Sequence, residues 1–240
     1  MAENISRTTE RVSTGIEGLD KMLGGGIPKN HVVLILGFCG TGKTTFAMQF
    51  IWKGLTQGEN CVYISLEESS ESLINTALSY GWDFLDYIKN KKLVVIKVNT
   101  ADLGNAVKCL KSDIPNALRA FNTKRVVVDP VSIFETMFPD VAERRPYLFE
   151  LCDEIKSVGA TALLTAETLT DKANTSRDGL VEYVSDGVIL LRFVAPTELS
   201  APKLALRVVK LRRAKHSREI RPYQITDNGI VVYPDMEVFG

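Results

Sequence analysis

Several things are missing from these 240 residues, and each absence excludes something. Net charge is missing: 29 Lys and Arg stand against 29 Asp and Glu. Generic coating of phosphate backbones grows from a surplus of cations, so this chain is not built for it. Long apolar runs are missing too. The longest, residues 32–36 extended through Gly37 to Cys39, falls far short of the ~18 residues of a spanning helix. The amino end, Met1-Ala2-Glu3-Asn4, has no basic start leading into an apolar stretch, so no secretory signal is expected. The cysteines, at 39, 61, 109 and 152, form no Cys-x-x-Cys pair, and only His31 and His216 could join them. No zinc site is expected, and the thiols read as reduced in a cytoplasmic protein. No repeat, low-complexity block or Pro/Ser-rich linker divides the chain. One domain over residues 1–240 is the economical expectation, long enough for a sizeable core.

What is present alternates. Short β-branched-rich runs at 32–36, 61–66, 93–98, 126–128 and 160–165 suit strands buried on both faces of a parallel sheet. Between them lie helical spacings. Leu103, Val107, Leu110 and Ile114 recur at three and four residues, and Leu118 and Phe121 follow past Pro115. That proline is expected to break the stretch in two or to start its second helix. Leu148, Leu151, Cys152, Ile155 and Val158 form another stripe, closed by Gly159. Strand–helix–strand repetition means crossovers and a three-layer α/β sandwich. After about residue 186 the runs at 187–193, 204–211, 223–226 and 230–233 have no long helices between them, and Asp227-Asn228-Gly229 is a tight-turn signal. The mostly parallel sheet is therefore expected to end in antiparallel strands.

Gly37-Phe38-Cys39-Gly40-Thr41-Gly42-Lys43-Thr44 matches G-x-x-x-x-G-K-[ST], with a buried strand before it and a helix carrying Phe46, Phe50 and Leu55 after it. Glycines let successive backbone N–H groups gather around phosphate oxygens at a helix N-terminus. Lys43 is placed to reach the β- and γ-phosphates of a nucleotide, and the Thr44 hydroxyl to bind Mg²⁺. Asp129 ends the run Arg125-Val126-Val127-Val128, where the second motif places the carboxylate the metal needs; the bland alternative is a strand-terminal Asp capping a turn before Pro130. Glu67-Glu68 follow the first strand after the phosphate loop. Either they activate the attacking water, Glu67 being the assigned base, or they simply open the next helix.

The chain resembles the KaiC-type domain of the RecA ATPase superfamily. The likeness begins with Arg11-Val12-Ser13-Thr14-Gly15-Ile16-Glu17-Gly18-Leu19-Asp20, Gly24-Gly25-Gly26-Ile27-Pro28 and the phosphate loop. It continues through Leu66-Glu67-Glu68-Ser69, Tyr80-Gly81-Trp82-Asp83 and Val184-Ser185-Asp186-Gly187. Lys210-Leu211-Arg212 and Ile225-Thr226-Asp227-Asn228-Gly229-Ile230 complete it, in family order over nearly the whole chain. The resemblance implies a RecA-like P-loop sandwich and an ATPase whose nucleotide sits between neighbouring subunits of a homo-oligomeric ring, a hexamer. Positions Gly40, Thr41, Gly42, Lys43, Thr44 and Thr45 then hold phosphates and metal, Ser79 lies near the nucleotide, and Glu67-Glu68 match the catalytic carboxylates. The neighbour supplies Lys210, Leu211, Arg212, Ala214, His216, Thr226 and Asp227. The resemblance also implies a signalling or regulatory role through contacts with another protein.

Two departures bear on function. Tandem-domain members carry an adjacent Ser-Thr phosphoacceptor pair in their kinase copy, whereas this chain has Glu182-Tyr183 there. Autokinase activity would then fall to Thr168, Thr170, Thr175 or Ser176. Cys39 inside the phosphate loop is either a tolerated small residue or a thiol sensitised by the helix N-terminus. Residues 203–221 hold eight Lys and Arg against one acid, Glu219, net +7. With the resemblance, Lys210 and Arg212 read as phosphate-contacting fingers. The rival reading is a RecA-like module on single-stranded DNA, with Arg144, Arg145, Lys172 and Arg177 beside Tyr147 and Tyr183.

Overall fold

A computed structural model describes residues 10–195 and 200–239. The amino end, expected to lack a signal, lies outside the described residues. A short ribbon, β1 (Arg11–Val12) and β2 (Ile27–Pro28), brackets α1 (Leu19–Met22). Then β3 (Val32–Gly37) leads into α2 (Lys43–Thr56), and β4 (Cys61–Ser65) into α3 (Ser70–Ser79) and α4 (Phe84–Lys89). After β5 (Leu93–Lys97) come α5 (Leu103–Lys108), a π-helical turn (Cys109–Asp113) and α6 (Ile114–Ala120). β6 (Arg125–Asp129), α7 (Ile133–Met137), α8 (Val141–Ser157), β7 (Thr161–Glu167) and α9 (Leu180–Val184) follow. The chain closes on β8 (Gly187–Val194), β9 (Lys203–Leu211), β10 (Ile220–Thr226) and β11 (Gly229–Val232).

The large sheet runs β11-β10-β9-β8-β3-β7-β6-β4-β5. From β8 to β5 every pairing is parallel, and from β8 to β11 every pairing is antiparallel. All six residues of β3 are buried, because both faces of the sheet are covered. Val33 and Ile35 face the apolar layer of α1–α4, and Val32, Leu34 and Leu36 face that of α5–α9. This is the expected three-layer sandwich with its antiparallel end.

One expected boundary is met and two differ. Pro115 starts the second helix, standing in the first turn of α6, which a π-turn joins to α5 with the Ile114 N–H bonded to Cys109 O, five residues back. A proline without an N–H fits there, where no intrahelical bond is due. β7 continues two residues past its expected end, to Glu167. β10 begins before Pro222, which sits opposite Ala205 of β9 but beyond the reach of β11.

Candidate active site

The phosphate loop leaves the end of β3 and enters α2 through glycines that only an achiral residue suits. Gly40 (φ 80°) and Gly42 (φ 84°) are left-handed, and a Cβ on Gly42 would lie 2.7 Å from Ile225 Cδ1. The loop borders a cavity of about 280 Å³ lined by Cys39, Gly40, Gly42, Lys43, Thr44, Thr45, Glu67, Glu68, Asp129, Pro130 and Glu167. Here the N-terminus of a 14-residue helix adds its partial positive charge. Lys43 is buried, and its ammonium donates to Gly37 O (3.1 Å) and Phe38 O (3.2 Å). Glu167 Oε1 lies 3.4 Å from the same nitrogen. Thr41 is turned away: its hydroxyl bonds Phe38 O, and its carbonyl accepts from Tyr223.

The three predicted carboxylates meet at this cavity. Glu67 and Glu68 precede Ser69, the N-cap of α3, so they do not open a helix. Glu68 is tethered, its Oε2 accepting from Ser72 Oγ at 2.9 Å and its carbonyl from Ser65 Oγ at 2.6 Å. Glu67 is exposed and makes no hydrogen bond among the described residues. Burial lowers the pKa of nearby Lys97, while Glu67 and Glu68 pull it the other way. Asp129 is only 6% exposed. Its Oδ2 accepts from Tyr63 Oη at 2.5 Å and its Oδ1 from Thr165 Oγ1.

No cluster of three or more His, Cys, Asp or Glu suited to a metal occurs among the described residues. Thr44 and Asp129, both lining the cavity, fit Mg²⁺ carried by nucleotide phosphates, which needs only one or two protein oxygens. The left-handed loop at a helix N-terminus fits the phosphates themselves.

The remaining predicted residues lie elsewhere. Leu211 pairs with Gly187, and Gly37 with Leu191, so the end of β9 stands four residues, roughly 13 Å, below the phosphate-loop edge. There the Lys210 ammonium donates to Glu182 O and Ser185 O, and Arg212 to Tyr183 O. Burial, then the charge of Arg212, lowers the pKa of Lys210 against the pull of Asp186. Leu211 is buried, Ala214 packs on the α1–α4 core, and His216 Nδ1 lies 2.8 Å from Ser217 O. Thr226 and Asp227 occupy the β10–β11 turn, whose Ile230 N–H bonds Gln49 of α2, so that turn sits beside the phosphate loop of its own chain. Ser79 is exposed and its hydroxyl bonds Thr76 O. Its neighbour Tyr80 reaches the site instead, its Oη 3.3 Å from Thr45 Oγ1 and its ring stacked on Trp82.

Four contributors escaped the sequence: Tyr63, Thr165, Tyr80 and Glu167. Two carried a signal: Tyr80 through the motif Tyr80-Gly81-Trp82-Asp83, and Glu167 as a charged residue closing a strand that flanks the phosphate-loop strand. Two groups assigned to a DNA channel are engaged inside the fold. Arg144 is buried, bonded to Phe138 O and paired with Asp178; Tyr147 stacks on Phe138 under Lys111. Of the candidate phosphoacceptors, Ser176 is buried against Glu182, and Thr168 bonds Thr170 O.

No helix among the described residues is long and apolar enough to cross a membrane. A family profile described as "ATPase: KaiC" matches residues 12–237. A UPF0273 protein of Pyrococcus horikoshii is 35% identical over 95% of this chain and 95% of its own. The circadian clock oscillator protein KaiC of Synechococcus elongatus is 33% identical over 93% of this chain, which spans 44% of that relative. The crystal structure of a KaiC-like protein from Pyrococcus horikoshii superposes with a TM-score of 0.82 at 35% identity, covering 94% of this chain and all of that one. With a RecA-like P-loop sandwich, a lined phosphate loop and matches end to end, the chain belongs to the KaiC family of ATPases.

Proposed function

We propose that the chain is a Mg²⁺-dependent ATPase that works as a cytoplasmic homo-oligomeric ring, a hexamer, with each nucleotide shared between two subunits. The whole of residues 1–240 then forms one catalytic domain. One observation carries the reading. The phosphate loop and Glu67 lie at the carboxyl ends of the parallel strands, while Lys210 and Arg212 lie toward the opposite ends, outside the cavity. That separation supports a reading in which these two cations serve the γ-phosphate of a neighbouring copy of the chain rather than their own.

Catalysis in such a site is mainly positioning and charge neutralisation. Backbone N–H groups from Gly40 to Thr45 and the Lys43 ammonium hold the phosphates. Thr44 and Asp129 would hold Mg²⁺, which would supply charge neutralisation for the phosphates. Glu67 orients the attacking water and takes its proton. Lys210 and Arg212 of the neighbouring subunit offset the charge that builds on the transferring phosphoryl group. Nucleotide state then alters the ring's contacts with a protein partner, which makes the ATPase regulatory.

The test is the particle mass in solution with and without Mg-ATP. A ring in either state supports the proposal. A monomer in both, still turning over ATP, overturns the shared site.

A further inference from the structure

We propose that Tyr63 is a positioning residue for the metal: its phenol, together with the Thr165 hydroxyl, clamps Asp129 so that the carboxylate meets Mg²⁺·nucleotide in one fixed orientation. The proposal rests on the reading of Asp129 as the metal carboxylate.

Strand register explains the clamp. Ser65 of β4 stands opposite Asp129, so Tyr63, two residues earlier, projects from the same face of the sheet. The long phenol covers that step and places Oη 2.5 Å from Oδ2. On the other side, Val128 pairs with Leu164, which brings Thr165 level with Asp129, and Thr165 donates to Oδ1. Each carboxylate oxygen is thus gripped from a different neighbouring strand.

Packing does not account for the hydroxyl. The Tyr63 ring is 1% exposed within the core beneath α2, a space that phenylalanine would fill equally well. Among the described residues its Oη has no partner but Asp129. A carboxylate offers about four acceptor positions, of which two are used here, and Asp129 lines the cavity with the rest. Groups that fix a ligating carboxylate from behind commonly carry a 10–100-fold effect on metal affinity.

The experiment measures Mn²⁺ binding to the protein–ADP complex by electron paramagnetic resonance. It compares the wild type with Tyr63→Phe, Thr165→Val, Thr165→Ser and Asp129→Asn, and measures ADP affinity in EDTA in parallel. Tyr63→Phe and Thr165→Val are expected to weaken Mn²⁺ about tenfold, with ADP affinity in EDTA unchanged. Thr165→Ser, which keeps the donor, restores Mn²⁺ binding. If Asp129→Asn weakens Mn²⁺ while Tyr63→Phe and Thr165→Val do not, the clamp is refuted and the metal site stands. If Asp129→Asn also binds Mn²⁺ normally, the metal assignment itself fails and the clamp with it. Should Tyr63→Phe not fold, the Thr165→Val and Thr165→Ser pair decides alone.

Discussion

A carboxylate that takes a proton from water must have its oxygens free. Glu67 meets that condition, while Glu68 is tied to Ser72 and to the turn that presents its neighbour. Glu67→Gln should therefore cut ATP turnover by about 10²–10⁴-fold with little change in nucleotide affinity. Glu68→Gln should cost less, because Ser72 can still donate to its amide oxygen. Steady-state hydrolysis of the two variants checks the ranking; equal losses would mean that the pair acts as a unit. Asp186 makes a second prediction at this scale. Burial raises its pKa, but the Lys156 hydrogen bond, the Val32 N–H and the charges of Lys156 and His31 outweigh that, and the net shift is downward. A lowered folded pKa adds stability above the unfolded value and loses it as pH falls through the folded one. Asp186→Asn should thus be clearly destabilised at neutral pH, with the gap closing from roughly pH 4 downward. Urea unfolding across that range measures it.

At the scale of elements, α2 is held by the β10–β11 hairpin. Gln49 donates to Gly15 O and Ile230 O and accepts from the Ile230 N–H, so one side chain ties the amino-terminal segment and the last hairpin to the phosphate-loop helix. Gly229 makes the close approach possible. Its φ is 108°, and a Cβ there would lie 2.6 Å from Gln49 Oε1 and 2.7 Å from Trp82 Cζ2. Gly229→Ala should cost about 2 kcal/mol or more, lowering Tm by roughly 4–8 °C. Thermal unfolding tests this, and an unchanged Tm would show that the hairpin yields without loosening α2. This tie was only half legible in the sequence. Asp227-Asn228-Gly229 announced a turn, but nothing in its spacing says that the turn lands on α2. Pro222 hid the start of β10, because a strand beyond its last double pairing tolerates a residue without an N–H. The π-turn before Pro115 was hidden in the same way, since apolar spacing of three and four continues smoothly across it.

For the molecule as a whole, the order of strands decides what could be foreseen. The phosphate loop is contiguous, and Asp129 follows an unbroken valine run, so both were legible. Tyr63 and Thr165 serve Asp129 only because β4 and β7 flank β6, an adjacency that no local pattern contains. Glu167 reaches Lys43 for the same reason, through the β7–β3 pairing. A shared site makes a prediction at this scale. Lys43→Ala and Arg212→Ala subunits, each inactive alone, should recover part of the ATPase activity when mixed and reassembled. No recovery, with mixed particles seen by native mass spectrometry, would place both residues in one subunit's site.

The opposite-end placement of Lys43 and Arg212 has one more consequence, and it concerns abundance. Under the proposed shared site, each chain carries two half-sites that face different ways and do not serve one another. Binding of a nucleotide is then a property of one chain, whereas its hydrolysis is a property of a population. On dilution, ATP consumption per chain should fall with an order above one while occupancy persists. Such an enzyme would go silent when scarce with its fuel still loaded, and report through turnover how many copies of itself are present.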